Sequence, residues 1–71
     1  MITTKKIHIG FLIREELRKQ GKSNKWLAEK LNVNPRTVNK IFLKQDIDTN
    51  QLYLISKILD IDFFKYYSET L

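Results

Sequence analysis

The chain has 71 residues, a net charge of +5, one histidine and no cysteine. These numbers exclude disulfides and thiolate or imidazole metal clusters, and a single core of this size leaves little room for an enzyme's deep pocket. The composition, which is 42% hydrophobic and 30% charged with only two glycines and one proline, predicts one all-α domain.

The first predicted helix covers residues 9 to 20. Its apolar residues Ile9, Ile13 and Leu17 recur every four positions, which is the spacing of one face of an amphipathic helix. Gly21 follows and is expected to end the helix in left-handed geometry, because glycine adopts positive φ without steric cost.

Residues 1–8 precede this helix and are predicted to form a flexible arm. Two lysines of the arm are Lys5 and Lys6. They would either run along a bound polyanion or belong to a frayed terminus.

Two short helices joined by a tight corner are predicted next. The first runs from Asn24 to Leu31, and Ser23 has the hydroxyl that suits an N-cap. Asn32 is expected to stop this helix in the left-handed region, which asparagine tolerates better than other non-glycine residues. Val33 is then predicted to fill the corner as an apolar plug.

The second of the short helices is predicted from Pro35 to about Leu43, with Asn34 as its cap. Proline suits a first helical position because its missing N–H would have no partner there and its φ is already helical. Val38 and Ile41 are expected to face inward. The outward residues are Arg36, Asn39 and Lys40.

Residues 44–48 are polar around one isoleucine and predict a loop. Asp48 or Thr49 is expected to cap a fourth helix, because both have side-chain oxygens that accept from a helical N–H. The core residues of this helix are predicted to be Leu52, Ile55 and Leu59.

A fifth helix is predicted as a last helical turn. A turn at Asp60 leads to Asp62, which is expected to cap a segment ending at Tyr67. The chain therefore has five predicted helices, with a folded domain at residues 9–67 and a tail at 68–71.

No metal site is predicted. His8 has no ligating residue at helical spacing, and we expect it to be structural or exposed. The two Asp-Ile-Asp repeats, at 46–48 and 60–62, have ligating oxygens, but each precedes a predicted helix, which favours capping over metal binding.

The corner between the second and third helices determines how they are arranged. Two helices joined by three or four residues cannot lie antiparallel, so they cross steeply and the second is pushed outward. A protruding helix about 10–12 Å across fits the DNA major groove, which is about 12 Å wide. This arrangement is a helix-turn-helix, and the residues expected beneath its outer helix are Leu27, Leu31, Val33, Val38 and Ile41.

Positive charge is concentrated in one part of the chain. Residues 1–44 hold 11 Lys/Arg and 3 Glu, giving +8, whereas residues 45–71 hold 2 Lys, 4 Asp and 1 Glu, giving −3. This asymmetry favours a polyanionic partner, nucleic acid before a membrane, although a solubilising surface is the alternative. No stretch approaches the about 20 apolar residues of a membrane span, and none resembles a signal peptide, so a cytoplasmic protein is expected.

The run SNKWLAEKLNVNPRTVNKI resembles the helix-turn-helix of the Cro/repressor-type (lambda repressor-like, XRE) family. IREELRKQGKS is similar to the first helix of that family, and LYLISKILDID to its fourth helix and the turn into a fifth, so the resemblance covers roughly residues 9 to 64. It implies a compact five-helix lambda repressor-like domain that binds DNA and regulates transcription.

Five residues of the outer helix are predicted to meet DNA bases. The planar fork of Arg36 can pair with guanine O6 and N7, although a phosphate contact or a free surface charge is the alternative. Asn39 can pair with adenine, and Lys40 with a base or a phosphate. Thr37 would touch a thymine methyl or pack half-buried, and Pro35 lies at the same helix end.

A second group of residues is predicted to contact DNA phosphates. Ser23 and Asn24 lie at the start of the second helix, where free N–H groups favour a phosphate oxygen, although capping alone explains Ser23. Lys25, Lys44 and Gln45 are peripheral candidates, and the alternative for each is a solvated side chain.

The chain has more large apolar residues than a monomer of this size is expected to leave exposed. Phe64 and part of Trp26 are expected in the core, and the rest predict a dimer face. The alternative is that the tail folds back over the first helix. The candidates for the dimer face are Leu54, Ile58, Phe63, Tyr66 and Tyr67.

These observations predict a sequence-specific DNA-binding transcription regulator that binds duplex DNA as a homodimer. The alternative function is a protein-interaction module, an antitoxin-like partner or an adaptor, that uses the C-terminal aromatic face. We reject catalysis, because no nucleophile and base can be assembled, and expect no cofactor.

Overall fold

The computed structural model describes residues 7–71, and the chain is all-helical over that range. It has five helices, as predicted, which we label α1 (Ile9–Lys19), α2 (Asn24–Leu31), α3 (Pro35–Leu43), α4 (Thr49–Leu59) and α5 (Lys65–Ser68). Lys5 and Lys6, for which the sequence left a DNA contact and a frayed terminus open, lie outside the described residues.

Side-chain caps explain where the middle three helices begin. The Ser23 hydroxyl accepts from the backbone N–H of Trp26 at 3.0 Å, and the Asn34 side chain accepts from that of Arg36 at 2.9 Å. Asp48, rather than Thr49, caps α4 by accepting from Gln51 at 2.8 Å. Each cap satisfies an N–H that lacks a partner inside the helix, so these boundaries follow from local sequence.

Left-handed residues end three of the helices. Gly21 has φ 69°, Asn32 has φ 58° and Asp60 has φ 55°. After Asn32, the backbone N–H of Val33 donates to the carbonyl of Ala28 at 2.9 Å and closes the end of α2. The left-handed endings predicted at Gly21 and Asn32 are therefore confirmed.

The prediction that Val33 plugs the corner is wrong, because its side chain is 37% exposed. The left-handed turn at Asn32 places the Val33 N–H against α2 and leaves the side chain towards solvent. Leu27 of α2 and Val38 of α3 are fully buried and close the corner from beneath.

One hydrophobic core joins the helices. Its buried residues come from α1 to α4 and from the turn that precedes α5. They are Ile9, Ile13, Leu17, Leu27, Ala28, Val38, Ile41, Phe42, Leu52, Ile55, Leu59 and Phe63.

The C-terminal segment departs from the prediction in one respect. The fifth helix begins at Lys65, and the Asp62 side chain caps the preceding turn by accepting from the N–H of Phe64 at 3.0 Å. Phe63 in this turn points into the core and is 0% exposed, whereas Phe64 is only half-buried. The expectation that Phe64 is the core phenylalanine is therefore wrong, because the turn directs the side chain of Phe63 inward.

The start of α1 packs against the end of α3 through backbone groups. The N–H of Ile9 donates to the carbonyl of Gln45 at 3.1 Å, and that of Gly10 donates to the carbonyl of Lys44 at 3.0 Å. His8 caps α1, since its Nδ1 accepts from the N–H of Phe11 at 3.2 Å. These bonds fix α1 beside the outer helix of the helix-turn-helix.

Candidate nucleic-acid interface

One face of α3 is exposed along its length. Arg36, Asn39, Lys40 and Leu43 lie on this face at helical spacing, while Val38, Ile41 and Phe42 on the opposite side are buried. The core contacts of α3 hold the helix in place, and the exposed face is free to meet a partner.

The base-contact candidates differ in exposure. Pro35 and Arg36 are exposed at the first turn of α3, and Asn39 and Lys40 follow one turn later. Thr37 is half-buried, and its backbone N–H donates to the carbonyl of Asn34 at 2.8 Å. The structure thus brings four of the five candidates to one surface and holds Thr37 at its edge.

A side-chain hydrogen bond joins the two helices of the helix-turn-helix. Nδ2 of Asn24, the first residue of α2, donates to Oδ1 of Asn39 in the middle of α3 at 2.8 Å. Asn24, a candidate for phosphate contact, is therefore hydrogen-bonded to Asn39, a candidate for base contact.

The other phosphate candidates lie near the two ends of the helix-turn-helix. Ser23 and Lys25 are exposed at the start of α2, and the Ser23 hydroxyl is already occupied by the cap. Lys44 is exposed and extended directly after α3. Gln45 is half-buried, and its carbonyl accepts from the N–H of Ile9, so part of this residue serves the fold.

Two further lysines lie against the ring of Trp26 in α2. Lys22 Nζ is 4.5 Å from the centroid of the Trp26 ring, and Lys30 Nζ is 5.7 Å from it. Both distances are within the range of cation–π contacts, which keep positive charge against the half-buried ring. Lys22 before α2 and Lys30 in its last turn therefore add positive charge around Trp26, beyond that of the predicted phosphate contacts.

Three residues that the sequence analysis did not select lie beside this surface. Arg14 and Arg18 of α1 and Leu43 of α3 border a depression of about 260 Å³, together with Asn24, Asn39 and Phe42. The sequence carried a signal for Leu43, which is seven residues after Arg36 and therefore on the same helical face. The arginines are four residues apart on α1, but their position beside α3 depends on how α1 packs.

The predicted dimer face divides into exposed and buried residues. Leu54 is 52% exposed on α4, and Ile58, Tyr66 and Tyr67 are half-buried. Phe63 is completely buried in the core, so its expected place on the dimer face is wrong.

Tyr67 lies beside the loop that follows α3. It borders a shallow depression together with Asp46 and Ile47 of that loop. Burial raises the pKa of the Tyr67 phenol above its ordinary value, and the negative charge of Asp46 raises it further.

Within residues 7–71, no group of three or more His, Cys, Asp or Glu side chains is placed to hold a metal ion. None of the helices in that range combines the length and the apolar character needed to cross a membrane.

Comparison with known proteins gives one match. A family model described as helix-turn-helix matches residues 13–65, which include most of α1 and all of α2, α3 and α4. No curated protein and no solved structure matches the chain.

Proposed function

Because the chain belongs to the Cro/repressor-type helix-turn-helix family of DNA-binding regulators, we propose that it binds specific sequences of duplex DNA by inserting α3 into the major groove. The observation that carries this proposal is the exposed face of α3, which presents Arg36, Asn39 and Lys40. The opposite side of the helix is buried in the core, which holds the exposed face in place.

The exposed side chains of α3 have the chemistry for reading bases. Arg36 in the first turn presents a planar fork that pairs with guanine O6 and N7. Asn39 has an amide that pairs with adenine, and Lys40 beside it donates to a base or a phosphate. Pro35 and Thr37 border these contacts and shape the approach of the helix end.

Contacts with the DNA backbone would set the register of α3 in the groove. The start of α2, with Ser23, Asn24 and Lys25, would face one strand, where N–H groups and positive charge favour a phosphate oxygen. Lys44 and Gln45 after α3 would face phosphates elsewhere along the groove. These contacts give affinity on any sequence, whereas the α3 contacts select among sequences.

We also propose that the protein binds DNA as a homodimer. Tyr53 and Leu54 are each 52% exposed on α4, and Ile58, Tyr66 and Tyr67 are half-buried. A symmetric pairing of this face would cover apolar surface that is costly to leave in water. Two copies would then read half-sites about 34–36 Å apart, which is one turn of the duplex.

Selection from a pool of random duplexes tests the proposal. Purified protein would be used for several rounds of selection at two salt concentrations, with an Arg36→Ala, Asn39→Ala variant as the control. We expect enrichment of a palindrome whose half-sites lie about one turn apart, and loss of that enrichment in the variant. Weak, strongly salt-dependent binding without enrichment would contradict sequence-specific reading.

The exposed apolar residues of α4 also favour a second candidate function, a protein-interaction module. In that case Leu54→Ser and Tyr67→Ser would abolish binding of a protein partner while Arg36→Ala and Lys40→Ala leave it unchanged. The random-duplex selection would show no enrichment, so the two functions are separable by experiment.

A further inference from the structure

We propose that Arg14 and Arg18 of α1 form an additional phosphate-binding site for duplex DNA, beside the recognition helix. This inference rests on the proposed function, because it extends the DNA interface from the helix-turn-helix onto α1. It assigns a ligand to a part of the surface that neither α2 nor α3 provides.

The two arginines border the same depression as residues of the proposed reading surface. This depression, of about 260 Å³, is bordered by Arg14 and Arg18 of α1 and also by Asn24, Asn39 and Leu43. The side chains of Asn24 and Asn39 are hydrogen-bonded to each other at 2.8 Å, so the depression begins where α2 meets α3. A duplex that contacts Asn24 and Asn39 therefore passes close to both guanidinium groups.

The position of α1 is fixed by bonds to the end of α3. The backbone N–H groups of Ile9 and Gly10 donate to the carbonyls of Gln45 and Lys44. The arginines are thus attached to a helix that is hydrogen-bonded to the segment following the recognition helix, and a phosphate site on α1 keeps a constant place relative to α3. Because this geometry is fixed before DNA binds, less conformational entropy is lost on binding.

Both arginine side chains are exposed. Their charges are therefore accessible to an anion from solution. Glu15 borders a second depression together with Phe11 and the same two arginines. Two like charges four residues apart on one helix repel each other, and an anion between them removes that repulsion.

Phosphate is the ligand that suits this arrangement. A guanidinium binds phosphate oxygens in a bidentate way, and four residues of helix rise about 6 Å, so the two groups can take neighbouring phosphates of one strand. Because α1 lies beside α3 rather than in the groove, its side chains reach the backbone and not the base edges. Leu43, which is 75% exposed, would pack against a deoxyribose next to these phosphates.

Salt dependence of duplex binding tests the site. Arg14→Gln, Arg18→Gln and the double variant would be compared with the parent protein on a selected duplex and on a scrambled one. The matched control is Lys57→Gln, which removes the same charge from α4, where Lys57 borders a different depression with Asp60 and Asp62.

We expect each arginine variant to reduce the slope of log K against log salt by about 0.9, and the double variant by about twice as much. The loss of affinity should be equal on the two duplexes, so the preference for the selected sequence stays unchanged. Lys57→Gln should keep the parent slope. If the arginine variants have the slope of Lys57→Gln, the phosphate site does not exist.

Neutral methylphosphonate links provide a second measurement. One link at a time would be placed at each phosphate position flanking the half-site. At two neighbouring positions the link should weaken duplex binding by the parent protein and leave duplex binding by the double variant unchanged. Equal weakening of both proteins would overturn the assignment. A parent protein without sequence preference would contradict the proposed function, yet its salt slope would still report on Arg14 and Arg18, and absence of any duplex binding would overturn both proposals.

Discussion

The side-chain amide of Asn24 donates a hydrogen bond to the side-chain oxygen of Asn39 at 2.8 Å, and so joins the start of α2 to the middle of α3. Both residues are exposed, and the core holds the helices that carry them without this bond. Its main effect is therefore on the orientation of two amides at the proposed DNA surface, since an amide that is held in place loses less freedom when it meets a base.

The first prediction concerns this pair. Asn24→Ala should weaken binding to the selected DNA site and reduce discrimination at the base pair that we propose Asn39 contacts, because Asn39 would lose its hydrogen-bond partner. A double-mutant cycle with Asn39→Ala should give a coupling free energy of about 0.5–1.5 kcal/mol in DNA binding. The unfolding free energy should change by less than about 0.5 kcal/mol, because both side chains are exposed.

Asn50→Ala is the matched control for this cycle. Asn50 is an exposed asparagine in the first turn of α4, and it takes no part in the Asn24–Asn39 hydrogen bond. Combined with Asn39→Ala it should give additive effects. Additive effects of Asn24→Ala and Asn39→Ala would show that the bond has no role in DNA binding.

Helix boundaries were predictable because they depend on neighbours in sequence. Ser23, Asn34 and Asp48 cap with their own side chains, and Gly21 and Asn32 supply the left-handed endings. The helix-turn-helix follows from these signals, since the short corner allows few crossing geometries. The family match over residues 13–65 confirms that interpretation.

Side-chain direction at the turns was not predictable in the same way. Phe63 and Phe64 are adjacent and identical in chemistry, so which one enters the core depends on the turn before α5. Val33 was assigned to the core by its apolar character, but the left-handed residue before it leaves its side chain exposed. Arg14 and Arg18 lie beside α3 through long-range packing of α1, for which local sequence has no signal.

A second prediction follows from the close packing of α1 on α3. A methyl group added at Gly10 would lie 2.6 Å from the carbonyl oxygen of Lys44 and closer still to those of Ile41 and Phe42. Gly10→Ala should therefore lower the unfolding free energy by about 3 kcal/mol, the upper end for overpacking, despite the better helix propensity of alanine. Urea unfolding followed by circular dichroism measures this loss.

Gly21→Ala distinguishes overlap from backbone strain. Gly21 has φ 69°, and an added methyl group would have no atom within 4 Å. This variant should lose only about 1–2 kcal/mol, the cost of placing a side chain in the left-handed region. Equal urea midpoints for the two variants would mean that the α1 contact relaxes to accept a methyl group.

A third prediction concerns stability at alkaline pH. The pKa of Tyr67 is raised in the folded state by burial and, to a lesser extent, by Asp46. A raised pKa means that the folded chain holds this proton more tightly than the unfolded chain. The corresponding stability is therefore present below about pH 10 and is lost as pH rises through the folded pKa.

Urea unfolding at pH values from about 8 to 11 measures this contribution. Tyr67→Phe should lose stability less steeply than the parent above about pH 10, because it has no phenol to ionise. Asp46→Asn should fall between the two, since it removes the secondary cause but leaves the burial. A decline in Tyr67→Phe as steep as that of the parent would show that Tyr67 does not contribute.

A fourth prediction separates the core from the proposed dimer face. Phe63→Ala should destabilise the protein by about 3–5 kcal/mol, which is comparable with the whole stability expected for a domain of this size, because the side chain is 0% exposed. Leu54→Ala, at a side chain 52% exposed, should leave protomer stability within about 0.5 kcal/mol and weaken self-association instead. Thermal unfolding and sedimentation equilibrium provide the two measurements.

The two variants should therefore respond in different experiments. A folded Phe63→Ala protein that only fails to associate would place Phe63 on the dimer face after all. A Leu54→Ala protein with unchanged association would show that the exposed part of α4 is not the face through which copies pair.

The fifth prediction distinguishes base reading from phosphate contact. Arg36→Ala should cost about 1–3 kcal/mol on the selected site and relax discrimination at one base pair, because it would remove the proposed bidentate contact with guanine. Lys44→Ala should weaken all duplexes alike and reduce the salt slope by about 1, since a phosphate contact carries no sequence information. Binding to a set of duplexes with single base-pair changes measures both effects. If both variants lose equal affinity on every duplex, Arg36 contacts the backbone, and base reading must depend on Asn39 and Lys40.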